Sequence, residues 1–184
     1  HMHSEGDMPL AGQQVEITTT ALDQRGTQRD YRGDLVSGSF FGDREGKDNT
    51  ARQVAGSTIT SGANLNVTAG QVRVKGSTIA SEGESVLYSN NGNLAIEADH
   101  NRSSTTEKQS DSKLFGLIGH DRSHSSQQEK VLASDVSSKS DLRLASAEEL
   151  RIEGAKVEAG KQLKIEAKGD LIVESAQARS DSKT

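Results

Sequence analysis

Gly-Ser-Thr-Ile occurs twice in this chain, at 56–59 and at 76–79, and the residues after each copy repeat as well. After Gly56 come Ile59, Gly62, the triad Leu65-Asn66-Val67, Gly70 and the triad Val72-Arg73-Val74. After Gly76 come Ile79, Gly83, Val86-Leu87-Tyr88, Gly92 and Leu94-Ala95-Ile96. From Gly154 the order returns as Val157, Gly160, Leu163-Lys164-Ile165, Gly169 and Leu171-Ile172-Val173. A glycine-poor copy starts at Ala133 with Val136, Leu142-Arg143-Leu144 and Leu150-Arg151-Ile152. A partial copy, Met8-Pro9-Leu10 and Val15-Glu16-Ile17, leads the chain. The first two copies begin 76 − 56 = 20 residues apart. That is too short for a domain, and a period in this range is the mark of a solenoid.

Most triads read apolar–other–apolar, the alternation of a strand with one buried face. Three residues make no stable strand alone, but stacked copies can hydrogen-bond to one another about 4.8 Å apart. The inward residues would then form ladders: Ile59, Ile79, Val136, Val157; Leu65, Val86, Leu142, Leu163; and Val72, Leu94, Leu150, Leu171. The expected fold is all-β, a right-handed parallel β-helix of ~20-residue coils with three short strands each, the hand following from the crossover rule. Glycines between triads are expected at positive-φ corners. Pro9, which cannot donate to a ladder, belongs on an edge strand.

The bulk numbers agree with a thin, repetitive core. Hydrophobic residues make up 31% of the chain and aromatics 3%, with no Trp, too little for an ordinary globular interior. The net charge of −5 mixes both signs, so no basic face suggests nucleic acid. No apolar run nears the roughly 18 residues of a transmembrane segment. With no Cys, disulfides supply no rigidity. No signal peptide is visible and His1-Met2 looks like a cloning remnant, so the chain reads as a fragment of a longer protein. Residues 1–7 are expected as a disordered tag, 8–175 as a single β-helix domain, and 176–184 as a tail.

Two polar stretches, 18–53 and 99–130, interrupt the array at equivalent points. Matching Val54 with Val131 gives a larger period of 131 − 54 = 77 residues, two coils plus one excursion. Each excursion centres on an apolar turn, "SGSFFG" at 37–42 and "KLFGLIG" at 113–119. Equal polar arms around such turns suggest projecting hairpins; a structureless loop this long would be unusual. All three Phe residues lie there. Leu35, Val36, Phe40, Phe41, Leu114, Phe115, Leu117 and Ile118 are therefore the candidate contact surface for a partner, unless the tips fold back onto the rod or each other.

The stretch "VAGSTITSGANLNVTAGQVRVKGSTIASEG" at 54–83, the unit of two coils plus an excursion, and the "FFG" and "LFG" centres resemble the repeats of filamentous hemagglutinin-like exoproteins. These include large adhesins and contact-dependent growth inhibition proteins of Gram-negative bacteria. The resemblance covers essentially residues 8–175. It implies a long fibrous protein, exported by two-partner secretion through an outer-membrane transporter and forming β-helical filaments on the cell surface. Some such proteins adhere to cells; others bind a receptor on the target-cell envelope and deliver a C-terminal toxin to neighbouring bacteria. The copy at 133–152 departs from the pattern, with Lys139 and Ala147 where corner glycines are expected.

Other candidate sites are weaker. Arg32-Gly33-Asp34 spells an integrin-binding tripeptide, but so short a string arises by chance and bacterial prey carry no integrins. Glu97, Glu153 and Glu174, with Lys75 before them, share one outward position and would repel one another; a cation or the nearby Arg73 and Arg151 would relieve this. His120 and His124 are four apart, yet "GHDRSHSSQQ" lacks the apolar period of a helix and a third ligand. A carbohydrate-active β-helix enzyme would need convergent acidic residues and an aromatic platform. Neither is evident, and Tyr88 points inward by period. The chain is thus expected to be a structural, adhesive segment without catalytic residues, metal or cofactor, the main alternative being a receptor-binding module built on the Phe-centred excursions.

Overall fold

The computed structural model describes residues 1–33, 42–113 and 118–183, and no helix occurs among them. The chain divides into two compact units: His1–Ala21 with Val54–His100 and Val131–Gln177, and Leu22–Gln53 with Asn101–Lys130 and Ala178–Thr184.

The first unit is built from parallel sheets. One has five strands, in the order Met2–Ser4, Thr58–Ser61, Thr78–Ser81, Ser134–Ser138 and Ala155–Ala159. Ile59 pairs with Ile79, Ile79 with Val136 and Val136 with Val157, offsets of 79 − 59 = 20, 136 − 79 = 57 and 157 − 136 = 21 residues. The other sheet has eight strands and bends along Leu65–Lys75. The first half of that strand pairs with Ser85–Ser89 and the second half with Leu94–Glu97. Leu142–Ser146 and Leu163–Ala167 continue one arm, and Leu150–Glu153 and Leu171–Glu174 the other. The parallel sheets nearly close on themselves in the manner of a β-helix.

Inside lies one aliphatic column. Ile59, Leu65, Val67, Val72, Val74, Ile79, Leu87, Leu94, Ile96, Val136, Leu142, Leu144, Leu150 and Ile152 are buried in a single cluster. Full burial of such a side chain stabilises by about 1.5–3 kcal/mol. In the last set of strands Leu163 and Leu171 keep their register opposite Leu142 and Leu150 but are 43% and 53% exposed, and Val157 is half-buried, because no further strand covers them. Pro9 sits exposed on Met8–Ile17, which pairs only with Leu65–Lys75 and so is an edge strand.

Four sequence expectations need correction. Val86 is not a rung of its ladder: register places Ser85 opposite Leu65 and Leu142, so Ser85 and Leu87 face inward. Val86 and Tyr88 are half-exposed on the opposite, outward face. Among the described residues the glycines with positive φ are Gly76 (53°) and Gly154 (56°), where one coil runs straight into the next. Elsewhere the corner glycines answer a steric demand: a Cβ on Gly83 would lie 2.9 Å from the Ala63 carbonyl oxygen, and one on Gly160 2.6 Å from the Lys139 carbonyl carbon. The leading residues are not disordered, since Met2–Ser4 joins the first sheet beside Thr58–Ser61. The tail also has a place: Ser180–Lys183 pairs antiparallel with Ser125–Gln128.

The second unit is a five-stranded sheet, in the order Ser180–Lys183, Ile118–Leu132, Asp99–Lys113, Gly42–Ala55 and Thr20–Gly33. Its central pair is antiparallel and in register from Arg102 opposite Arg52 to Ser112 opposite Gly42. Its strands are polar on both faces, so cross-strand pairs rather than burial hold the register. Lys47 stands opposite Glu107 with Nζ 2.7 Å from Oε1, and Arg102 Nε lies 3.0 Å from Glu129 Oε1.

Candidate functional site

Corners decide what the coils present outward, and buried serines build them. Ser61, Ser81 and Ser138 form one column and Ser89 and Ser146 another, all buried. Ser138 Oγ lies 2.6 Å from the Gly83 carbonyl oxygen and 3.0 Å from that of Asp141, with one proton to share between them, and accepts from the Ser140 amide (3.2 Å). Ser146 Oγ likewise lies 2.8 Å from both the Gly92 and Glu149 carbonyl oxygens and shares its proton between them. Each hydroxyl therefore joins the turn of its own coil to that of the preceding one. A reading based on apolar residues alone misses them, although Ser follows two residues after Ile59, Ile79 and Val136. Ser138→Ala leaves two turn carbonyls without this donor and should cost about 1–3 kcal/mol in urea unfolding, with the neighbouring Ser137→Ala close to neutral.

At the end of the third strand the outward charges compensate one another. Lys75, Glu97, Glu153 and Glu174 stand in one column. Arg73 Nη2 lies 2.8 Å from Glu97, while Arg151 lies 3.6 Å from Glu153 and 3.8 Å from Glu174. The Glu97 hydrogen bond, reinforced by its charge, raises the Arg73 pKa. Each carboxylate thus has a guanidinium neighbour. Exposed pairs of this kind contribute about 0–1 kcal/mol, so the column fixes surface chemistry more than stability.

Asp99 is different because it is buried. Its carboxylate accepts from Thr19 Oγ1 at 2.5 Å and the His100 amide at 2.8 Å, and lies 3.2 Å from Lys75 Nζ. Burial raises its pKa, but the hydrogen bonds from Thr19, His100 and Lys75, with the Lys75 charge, outweigh this and hold it below the usual Asp value.

Leu35, Val36, Phe40, Phe41, Leu114, Phe115 and Leu117 lie outside the described residues, and only the backbone of Ile118 falls within them. Asp34 of the Arg-Gly-Asp string lies outside as well. His124 is an exposed residue in the strand Ile118–Leu132. No group of three or more metal-ligating side chains occurs among the described residues.

No curated protein and no solved structure shows significant similarity to the chain. A family model described as the hemagglutinin repeat matches residues 39–184. That span takes in most of the stacked strands and both antiparallel partners Gly42–Ala55 and Asp99–Lys113, and with it the chain belongs to the hemagglutinin repeat family.

Proposed function

We propose that this chain is a structural, adhesive segment of a filament on the surface of a Gram-negative bacterium. The family match carries the reading. In-register stacking supports it, because a coil buries its inward residues only against neighbouring coils. In this reading the coils are right-handed and about 20 residues long, with hairpin-like excursions. The parent exoprotein leaves the cell through an outer-membrane two-partner secretion transporter. The segment supports contact with a neighbouring cell, and in growth-inhibition members it assists delivery of a C-terminal toxin. Its mechanism is mechanical: stacked strands set reach, and outward side chains make contacts.

Beads coated with the purified chain should bind bacterial cells more than beads coated with an unfolded Leu87→Asp variant. Equal retention on the two, or turnover of a glycan panel by the native chain, would overturn the adhesive reading.

A further inference from the structure

The coil 155–174 presents three sheet edges at once. Ala155–Ala159 is the last strand of the five-stranded sheet, and Leu163–Ala167 and Leu171–Glu174 are the two end strands of the eight-stranded one. Leu163 and Leu171 stand exposed there, and Val173 is 66% exposed. Such an edge accepts another strand unless something blunts it. Its inward positions carry no charge, being Ala155, Val157, Ala159, Leu163, Ile165, Ala167, Leu171 and Val173. The chain's one proline, Pro9, lies instead in the edge strand Met8–Ile17, where Met8 and Ile17 are buried. Its missing N–H blunts that edge.

The open coil reads alike in both directions about Ile165. Leu163–Ala167 extends equally to either side of it. The outer strands resume six residues away, at Ala159 (165 − 159) and at Leu171 (171 − 165). A second copy turned about a two-fold axis through Ile165 would therefore lay strand on strand and turn on turn, antiparallel. Facing residues are those whose numbers sum to 2 × 165 = 330. Ile165 then meets its own copy, Val157 meets Val173, Ala159 meets Leu171 and Leu163 meets Ala167, all at inward positions. On the outward side Lys156 meets Glu174 and Lys164 meets Glu166, each twice by symmetry. Nowhere in the coil do like charges face each other: Glu158 meets Ile172, and Lys168 meets Gln162. Lys156 and Lys164 lie 2.8 and 3.0 Å from Glu158 and Glu166 of their own strands. The seam would extend these pairs into alternating ladders.

We propose that this coil is a self-association surface, occupied by the same coil of a second copy in a closed two-fold dimer. A two-fold contact requires a patch complementary to itself, and this coil matches itself in backbone, apolar positions and charge. Antiparallel pairs of aliphatic residues and of opposite charges stabilise such a seam. Head-to-tail stacking would give open fibres, but it would have to use the proline-bearing edge. The contact depends on the parallel unit alone and not on an adhesive role.

Sedimentation velocity across the micromolar range tests this. The native chain should pass from monomer to dimer with rising concentration and go no further. Val173→Lys, at an exposed position, should keep it monomeric, with the circular dichroism melt of the dilute native chain. A charge exchange then locates the seam. Lys156→Glu should weaken dimerisation about tenfold, and adding Glu174→Lys should restore it. Those two residues lie in different sheets of one chain, so contact between copies is what couples them. A native chain that stays monomeric throughout overturns the proposal. So does a mass that keeps growing past the dimer, undiminished dimerisation of Val173→Lys, or failure of Glu174→Lys to rescue Lys156→Glu.

Discussion

Leu87→Asp should unfold the parallel-stranded unit, while Val86→Asp, one residue earlier, should leave its melting temperature nearly unchanged. Leu87 is fully buried, paired in register with Val67 on one side and Leu144 on the other. Truncating a leucine in such a site to alanine costs about 2–5 kcal/mol. An aspartate adds the penalty of an unpaired buried charge, which together approaches the whole stability of a domain. Val86 faces outward between Asn66 and Arg143, so a carboxylate there meets water and a guanidinium. The expected change is within about 0.5 kcal/mol. Thermal melting followed by circular dichroism reads both variants. The reverse ranking would mean that the strand is rotated by one residue.

Asp99→Ala should destabilise the same unit by about 1.5–3 kcal/mol at neutral pH, the range for hydrogen bonds to a charged group. Thr19, the His100 amide and Lys75 all lose their common partner. The effect also has a pH signature. The folded-state pKa of Asp99 is depressed, so its charge-linked contribution is fully present above the unfolded value of about 3.9. That contribution is lost as pH falls through the lower folded value. The stability gap between the native chain and Asp99→Asn should therefore be constant at neutral pH and narrow below about pH 4. Urea unfolding at a series of pH values measures it, and a gap that stays constant into strong acid would show that the carboxylate charge contributes nothing.

The triads were legible because alternation is unambiguous where only one parity is apolar. Leu65 and Val67, and Val72 and Val74, each leave a single choice of inward face, and all four are buried. The run Ser85-Val86-Leu87-Tyr88-Ser89 offers apolar residues at both parities, so period alone cannot set its phase. The corners set it. Ser85 is fully buried against Ser81, with the two Oγ atoms 2.6 Å apart, and Ser89 donates to the Gly70 carbonyl at 2.8 Å. Those hydroxyls satisfy turn groups that a hydrophobicity pattern does not register.

Glycine chemistry was legible in kind more than in cause. Gly76 and Gly154 have the left-handed φ expected of a corner, whereas Gly83 and Gly160 are required by the backbone stacked against them. The polar strands were harder to read. Without a buried face they carry no alternation, so nothing in "SDSK" marks residues 180–183 as a partner for residues 125–128.

The central claim is that successive coils stack parallel and in one register. Methyl-labelled NMR measures it most directly through contacts between residues far apart in sequence. Cross-peaks should join Leu87 to Val67 and Leu144, and Ile79 to Ile59 and Val136. Cross-peaks from the Val86 methyls to Leu65 and Leu142 in their place, or a pattern of antiparallel pairs among these strands, would contradict it.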